Sequence, residues 1–457
     1  MAGILQIIKS NTTYENETPI QSFVQPHKVV KTSMLSWQSI EMHIKDTVKM
    51  EEIVSIVIPN NICDLISDIG VYFEVIHDVV SVNGTHMDSF FGVGMGYQMI
   101  EWVELLIGGN VIQRLDTNYN SIYASTHKNK SEQALLNVLN GNFRQTGYRR
   151  LTGTATFDGN DRLNGGRRRF TFPFYFHDNF HAALPLCAIH KQDVEVRIKM
   201  NKKTECFFPI NFDFNEKIVN FKLIVDGIFL ETSEKVRLRT KKIDQVITQI
   251  QHDKFKVPAD ENRLVTKLSF VNPVKELFFH IQNESTPDGV LDSLQGGLYY
   301  RFWGNGGLVA NNTGSSYPID PDNNVSKEPL WKGHHLKYLT LNLDGEMIID
   351  EYTGNPAFLS FIQPSLHHSC SITEEKEEAN HQGRQMRNIY NYSFALFPED
   401  LTPSGDLDFS KIQHQIFECN LFKGRPDIGR IIIVYAKSQN ILRIENGTVR
   451  QIFSYKY

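Results

Sequence analysis

Val194-Glu195-Val196-Arg197-Ile198-Lys199-Met200 alternates apolar and charged side chains without a break. Successive side chains of a β-strand point to opposite faces, so this period of two marks a strand with one face buried and one face wet. The same signature recurs on both sides of it. Ile53–Ile58 ends at Pro59, Val71–Ile76 runs towards an Asn83-Gly84 turn, and Ile100–Ile107 ends at Gly108-Gly109. Arg169–Phe176 places Phe170, Phe172, Phe174 and Phe176 on one face. In the second half, strands are expected at Leu264–Val271, Glu276–Gln282, Tyr338–Leu343, Tyr390–Phe397, Gln415–Phe422, Arg430–Tyr435 and Asn440–Ile444. Helical period is scarce: Ser131 would cap one short helix that Gly141 stops. Many short strands with turn punctuation and few helical crossovers point to all-β sandwiches, not a doubly wound parallel sheet.

Composition agrees. The chain has 457 residues, 41% hydrophobic and 22% charged, with 30 Phe and 17 Tyr. Aromatic side chains suit pleated, half-buried surfaces. The length fits two or three domains. The net charge of −5 excludes a uniformly basic coat protein for nucleic acid, and no direct nucleic-acid contact is expected. Met1–Lys9 lacks the basic and apolar regions of a signal peptide, and no window holds the ~18 uncharged apolar residues of a membrane span, so folding in the cytoplasm is expected. Cys63, Cys187, Cys206, Cys370 and Cys419 are odd in number, widely spaced and free of C-x-x-C pairs, which predicts reduced thiols. Nine N-x-S/T sequons, at Asn11, Asn16, Asn83, Asn129, Asn283, Asn311, Asn324, Asn391 and Asn446, are read as incidental to an Asn-rich chain.

Two internal echoes divide the chain. Val103–Ile112 and Tyr338–Ile349 are each a strand, a Gly turn and a second strand. Leu184-Pro185-Leu186 before Val194 parallels Thr402-Pro403-Ser404-Gly405 before Gln415. Both offsets are roughly half the chain, so one module of about 220 residues is expected twice. The boundaries are placed at an irregular arm, 1–27, a first module, 28–235, and a second, 236–457. Two stretches resist strand assignment, Tyr123–Arg168 and Glu284–Gly333, and read as long exposed connections.

Candidate chemistry is thin. Gly92-Val93-Gly94-Met95-Gly96 lacks the Lys-Ser/Thr of a phosphate loop, and no helical pattern follows it. His334-His335 and His367-His368 with Cys370 could ligate a metal, but adjacent histidines in a strand face opposite ways, so surface or loop histidines are expected. Arg149-Arg150 and Arg167-Arg168-Arg169 could meet phosphate, yet acidic neighbours favour ion pairing across a subunit interface or a solvated face. Glu101 and Glu104 read as strand-surface charges. No catalytic, cofactor-binding or metal residue is assigned, and the protein is not expected to be an enzyme. Pro185 and Pro403-Ser404-Gly405 are expected to shape chain reversals.

Five stretches, in order, resemble the major capsid proteins of nucleocytoplasmic large DNA viruses. Ile100-Glu101-Trp102-Val103-Glu104-Leu105-Leu106-Ile107-Gly108-Gly109 resembles that family's IEYVELEIGGQ. Phe172–Asn179 with Ala183-Leu184-Pro185-Leu186 is similar to its PLxFWFCRNxGLALPL, and Asn272–Leu277 to its NHPVKEL with one residue missing. Tyr392–Asp400, Pro403-Ser404-Gly405 and Asp408-Phe409-Ser410 resemble YSFALxPExxxPSGxxNFS, and Tyr435–Ile444 resembles its last strands. Val29–Trp37 replaces the family's basic RRHTNF segment, and Asp408 stands where Asn is usual.

The resemblance implies a double jelly roll: two consecutive antiparallel eight-stranded β-sandwiches with long inter-strand loops. It implies a structural role in the virion, as a homotrimer forming pseudo-hexameric capsomers that tile an icosahedral shell. Neighbouring capsomers, minor capsid and penton proteins, and an inner membrane reached through minor proteins are the implied partners. A carbohydrate-binding or carbohydrate-active β-sandwich is the alternative.

Overall fold

The computed structural model describes residues 34–77, 80–82, 85–87, 90–91, 95–129, 131–132, 135–136, 139, 167–177, 179–202, 207–208, 216–284, 335–369, 389–422 and 429–455. The arm, most of both long connections, Arg149-Arg150, His334, Cys206 and Cys370 lie outside them.

Among the described residues of the first half, the two four-stranded sheets are built from β1 (Met34–Val48), β2 (Ile53–Ile58), β3 (Leu65–His77), β4 (Ile100–Ile107), β5 (Asn110–Asp116), β6 (Arg167–Thr171), β7 (Val194–Met200) and β8 (Glu216–Leu230). The sheets are ordered β1-β8-β3-β6 and β2-β7-β4-β5. The second half repeats this with β9 (Ile243–Val257), β10 (Arg263–Lys267), β11 (Pro273–Asn283), β12 (Leu336–Leu343), β13 (Glu346–Ile349), β14 (Ile389–Ser393), β15 (Gln415–Leu421) and β16 (Arg430–Glu445). Their sheets are β9-β16-β11-β14 and β10-β15-β12-β13. Both halves thus read first-eighth-third-sixth and second-seventh-fourth-fifth, with antiparallel neighbours, which is a jelly roll twice over. Helix α1 (Thr117–Thr126) follows β5, and the solvent-exposed α2 (Thr232–Thr240) joins the halves.

The alternation read in β7 is met in space. Val194, Val196, Ile198 and Met200 are wholly buried, and the charged residues between them are not. Each such buried side chain contributes about 1.5–3 kcal/mol. The internal echoes are topologically equivalent hairpins. The turns β4–β5 and β12–β13 have positive φ at both central residues, Gly108 and Gly109 in one, Asp344 and Gly345 in the other. That pair of angles makes the tight hairpin whose twist matches the strands. Pro185 and Pro403 both fall between the sixth and seventh strands of their halves.

Several strand expectations are corrected. The Phe-rich strand ends at Thr171, because Pro173 has no N–H for the ladder. Phe170, Phe172, Phe174 and Phe176 stay buried and stack onward at centroid spacings of 5.7, 6.0 and 5.7 Å. The strand from Tyr390 ends at Ser393, where the Phe394 and Ala395 N–H groups both turn to the Lys275 carbonyl. The strand from Leu264 stops at Lys267. Arg430–Tyr435 and Asn440–Ile444 are one continuous strand. The long strands β1, β8 and β9 were not read from the sequence at all. At the short helix, Asn129 is the cap instead of Ser131: its Oδ1 accepts from Glu132 N while Glu132 Oε2 accepts from Asn129 N. A single helical turn, Met95–Gln98, takes in the last two residues of the Gly-rich run, whose residues 92–94 lie outside the described residues.

Candidate functional site

From Arg430 to Asn440, β16 is buried at every position. A strand buried on both faces needs a layer on each side. Ile432, Val434 and Ala436 lie in the second sandwich's own core with Leu277, Phe279 and Ile281. Ile431, Ile433 and Tyr435 instead join the first sandwich's core, which contains Leu115, Tyr119 and Ile122. The two jelly rolls therefore share a packed seam.

Hydrogen bonds cross this seam. Asp116 serves both halves, since its Oδ1 caps α1 by accepting from Tyr119 N at 2.7 Å and its Oδ2 accepts from Tyr435 Oη at 2.7 Å. The edge strand β5 is covered further: Gln249 Nε2 donates to Ile112 O, Gln451 Nε2 to Val111 O, and Arg114 N to Tyr455 Oη. Val449 N donates to Gln192 Oε1.

At one end of the seam lies a buried ionisable cluster. His127, from the end of α1, meets Lys437 of β16, Glu276 of β11, His368 and Glu399. Lys437 Nζ is 2.9 Å from both Glu276 Oε1 and His127 Nε2. His368 bridges two carboxylates, with Nε2 3.0 Å from Glu276 Oε2 and Nδ1 3.0 Å from Glu399 Oε1. The Glu276 and His368 side chains are wholly buried. Burial alone would raise the Glu276 pKa, but Lys437, His368 and His127 outweigh it and hold the carboxyl well below its usual range. Burial pulls His368 down, yet Glu276 and Glu399 more than offset this and raise it to about 9. Ligand atoms of His127, His368 and Glu399 lie within 4.8 Å of one another. The Lys437 ammonium already sits where a cation would be drawn, and the two carboxylates are balanced by Lys437 and His368.

Sequence reasoning missed this cluster, and its surface-histidine expectation is corrected: His335 and the His368 side chain are wholly buried. His367 and His368 end a helix instead of lying in a strand, so the opposite-faces argument did not apply. The polar run Lys437-Ser438-Gln439-Asn440 was the available signal, since apolar stretches flank it on both sides. Arg168 is also buried, which pushes its pKa down to about 10 and removes it from any solvated face. Arg169 donates to Ser39 Oγ. Glu101 pairs with Lys199 at 2.9 Å. Glu104, expected at the strand surface, is buried; it pairs with Arg114, which lies over the Trp102 ring. Asn391 is wholly buried and donates to Glu276, so that sequon lies inside the fold.

Two family models match consecutive parts of the chain. Residues 23–231 match the major capsid protein N-terminus, and residues 234–449 match the large eukaryotic DNA virus major capsid protein. The chain belongs to this capsid protein family. The capsid protein is 24% identical over 443 residues to the major capsid protein of Paramecium bursaria Chlorella virus 1, covering 90% of this chain and 89% of the relative. It is 23% identical over 433 residues to that of Phaeocystis pouchetii virus, covering 77% and 80%. Among solved structures, the PBCV-1 virus capsid matches with a TM-score of 0.62 at 19% identity, over 94% of this chain and all of the other. The Faustovirus major capsid protein matches at 0.63 and 11% identity, over 97% and 99%. The capsid protein is thus a structural component of the virion and not an enzyme, and the carbohydrate-active alternative falls away.

Cys63, Cys187 and Cys419 are buried free thiols. Burial, helped by Asp64, pushes Cys63 up to about 12 and Cys187 to about 11. A thiol reagent at pH 8 is expected to find these three at least tenfold slower in native capsid protein than in urea, because the thiolate is the reactive form. All five thiols should titrate in urea. Two missing thiols in freshly reduced-purified protein would contradict the unpaired assignment.

Proposed function

We propose that three chains close into a pseudo-hexameric capsomer and that these capsomers tile the icosahedral outer shell. The supporting observation is the repeated strand order within one chain, held by one packed seam. Two similar sandwiches per chain let three copies present six similar modules to a hexagonal lattice, and a closed ring covers the exposed sandwich edges. The modules are assigned to 28–235 and 236–457, with α2 spanning their junction and residues 1–27 as an arm. Neighbouring capsomers, minor capsid and penton proteins are the proposed partners, and contact with an inner membrane runs through minor proteins. Assembly is placed in the host cytoplasm, with no direct nucleic-acid contact and no catalytic, cofactor or metal role.

Light scattering on purified protein is expected to give about 158 kDa, three times the chain mass of 52.5 kDa. Negative-stain images should show hexagonal outlines. Contacts between capsomers carry charges of both signs, so association should change as salt shortens the Debye length from ~10 Å to ~3 Å. A stable monomer at every concentration and salt would refute the capsomer.

A further inference from the structure

We infer that the cluster of His127, His368, Glu276, Glu399 and Lys437 is an acid-sensitive latch: a proton added to His127 loosens the seam that holds the two jelly rolls together. The inference is independent of the oligomeric state.

The geometry fixes the tautomer of His127. Lys437 carries only donors, so its 2.9 Å contact requires a bare Nε2 on the imidazole. The ring proton therefore sits on Nδ1, 2.7 Å from Thr126 Oγ1, whose own hydroxyl donates to Ile122 O at 2.9 Å. A second proton would have to enter at Nε2, against the ammonium. The carboxylate oxygen that faces Nε2, Glu276 Oε1, is 3.9 Å away and is already held by Lys437.

Charge counts the same way. Glu276 and Glu399 contribute two negative charges, and Lys437 and His368 two positive ones, so the cluster is neutral only while His127 is uncharged. Around the ring stand Lys437 from β16, Glu276 from β11, His368 from the end of the Gln363–His367 helix, Glu399 from the connection after β14, and Lys128 next in sequence. Tyr123 stacks on it at 4.5 Å and the Phe278 ring lies tilted to it at 6.3 Å. Lys275 turns away, donating its Nζ to Asp400 O. The His127 side chain is 6% exposed, so water offers no relief. A charged imidazole here is a buried, uncompensated cation, which a seam escapes by opening.

The direction of the pH effect follows. Burial, Lys437 and His368 hold His127 well below its ordinary 6.5, with Glu276 opposing them. The unfolded chain binds this proton near pH 6.5 and the folded chain does not. The stability His127 supports is therefore full above pH 6.5 and is lost as pH falls, by up to tenfold in the folding constant per pH unit. His368 acts oppositely: raised to about 9, it supports stability fully below pH 6.5, and that share is lost as pH rises through about 9. Together the two histidines place the optimum near pH 6.5.

The test compares wild type with His127→Gln, whose amide oxygen can accept from Lys437 without titrating. Urea unfolding from pH 7 to pH 5 should show wild type losing up to tenfold more per pH unit than the variant. Equal slopes would overturn the latch. If the variant does not fold, hydrogen exchange on wild type decides. After correction for intrinsic rates, protection of residues 117–127 and 431–439 should fall on acidification by at least fivefold more than protection of β2. A uniform change across the chain would overturn it.

Discussion

Glu276→Gln is expected to destabilise the folded chain by about 3–5 kcal/mol, measured as the shift of urea unfolding at pH 7. The glutamine matches the carboxylate in size, so no cavity forms. What disappears is the charge that Lys437 Nζ approaches at 2.9 Å and His368 Nε2 at 3.0 Å. The Lys437 ammonium is then stranded beside a wholly buried residue 276, and His368 keeps only Glu399 to hold its charge. Removing one member of a buried ion pair costs far more than replacing the pair, because the surviving charge is stranded. The double variant Glu276→Gln, Lys437→Met should therefore recover part of the loss. A loss below about 1 kcal/mol for the single change would mean that water screens the cluster, as it does surface pairs.

Phe172→Ala should cost a similar amount, about 3–5 kcal/mol, by a different route. Phe172 is wholly buried, with Phe170 at 5.7 Å and Phe174 at 6.0 Å. Phe170 in turn packs edge-on to Phe73, which stacks on Phe221. Removing the middle ring opens a void that neighbours held by β3 and β8 cannot collapse to fill. Phe172→Leu, which keeps most of the volume, should lose about 1.5 kcal/mol or less. A thermal melt in which both variants lose equally would point to backbone disruption next to Pro173.

The sequence discloses strands that alternate or that end in clear turn punctuation. β7 is legible to the residue because apolar and charged side chains alternate along it, and β2 and β4 because their apolar runs stop at Pro59 and at Gly108-Gly109. β9 was missed for the opposite reason. Gln249 and Gln251 are wholly buried, so amides that read as a solvent face in fact meet buried carbonyls, Gln249 that of Ile112 across the seam and Gln251 that of Val271 in its own half. The same misreading split β16 at Lys437-Ser438-Gln439-Asn440, all buried. β8 was hidden by irregularity, since Asn220 adopts a positive φ and the register shifts there. That polar run at Lys437 marks one member of the cluster, but the rest cannot be joined to it from sequence, because the members are scattered from His127 to Lys437 and meet only after both sandwiches dock. Periodicity reports which face is dry within one strand, and carries nothing about a second module arriving on the other side.

The shared seam has a consequence for the order of synthesis. The edge of β5 is closed by Gln249, Gln451 and Tyr455, and the last of these leaves the ribosome roughly 340 residues after Asp116. At about 5–20 residues per second, that edge stands open for about 17–70 s on every nascent chain. An open strand edge beside apolar side chains is a template for pairing with another chain. Many ribosomes making this protein at once would hold many such half-built sandwiches close together. Unwanted pairing at this edge is therefore a hazard of the interval in which the second half is translated, and it ends when the hairpin of β16 with Thr448–Gln451 closes over the first half.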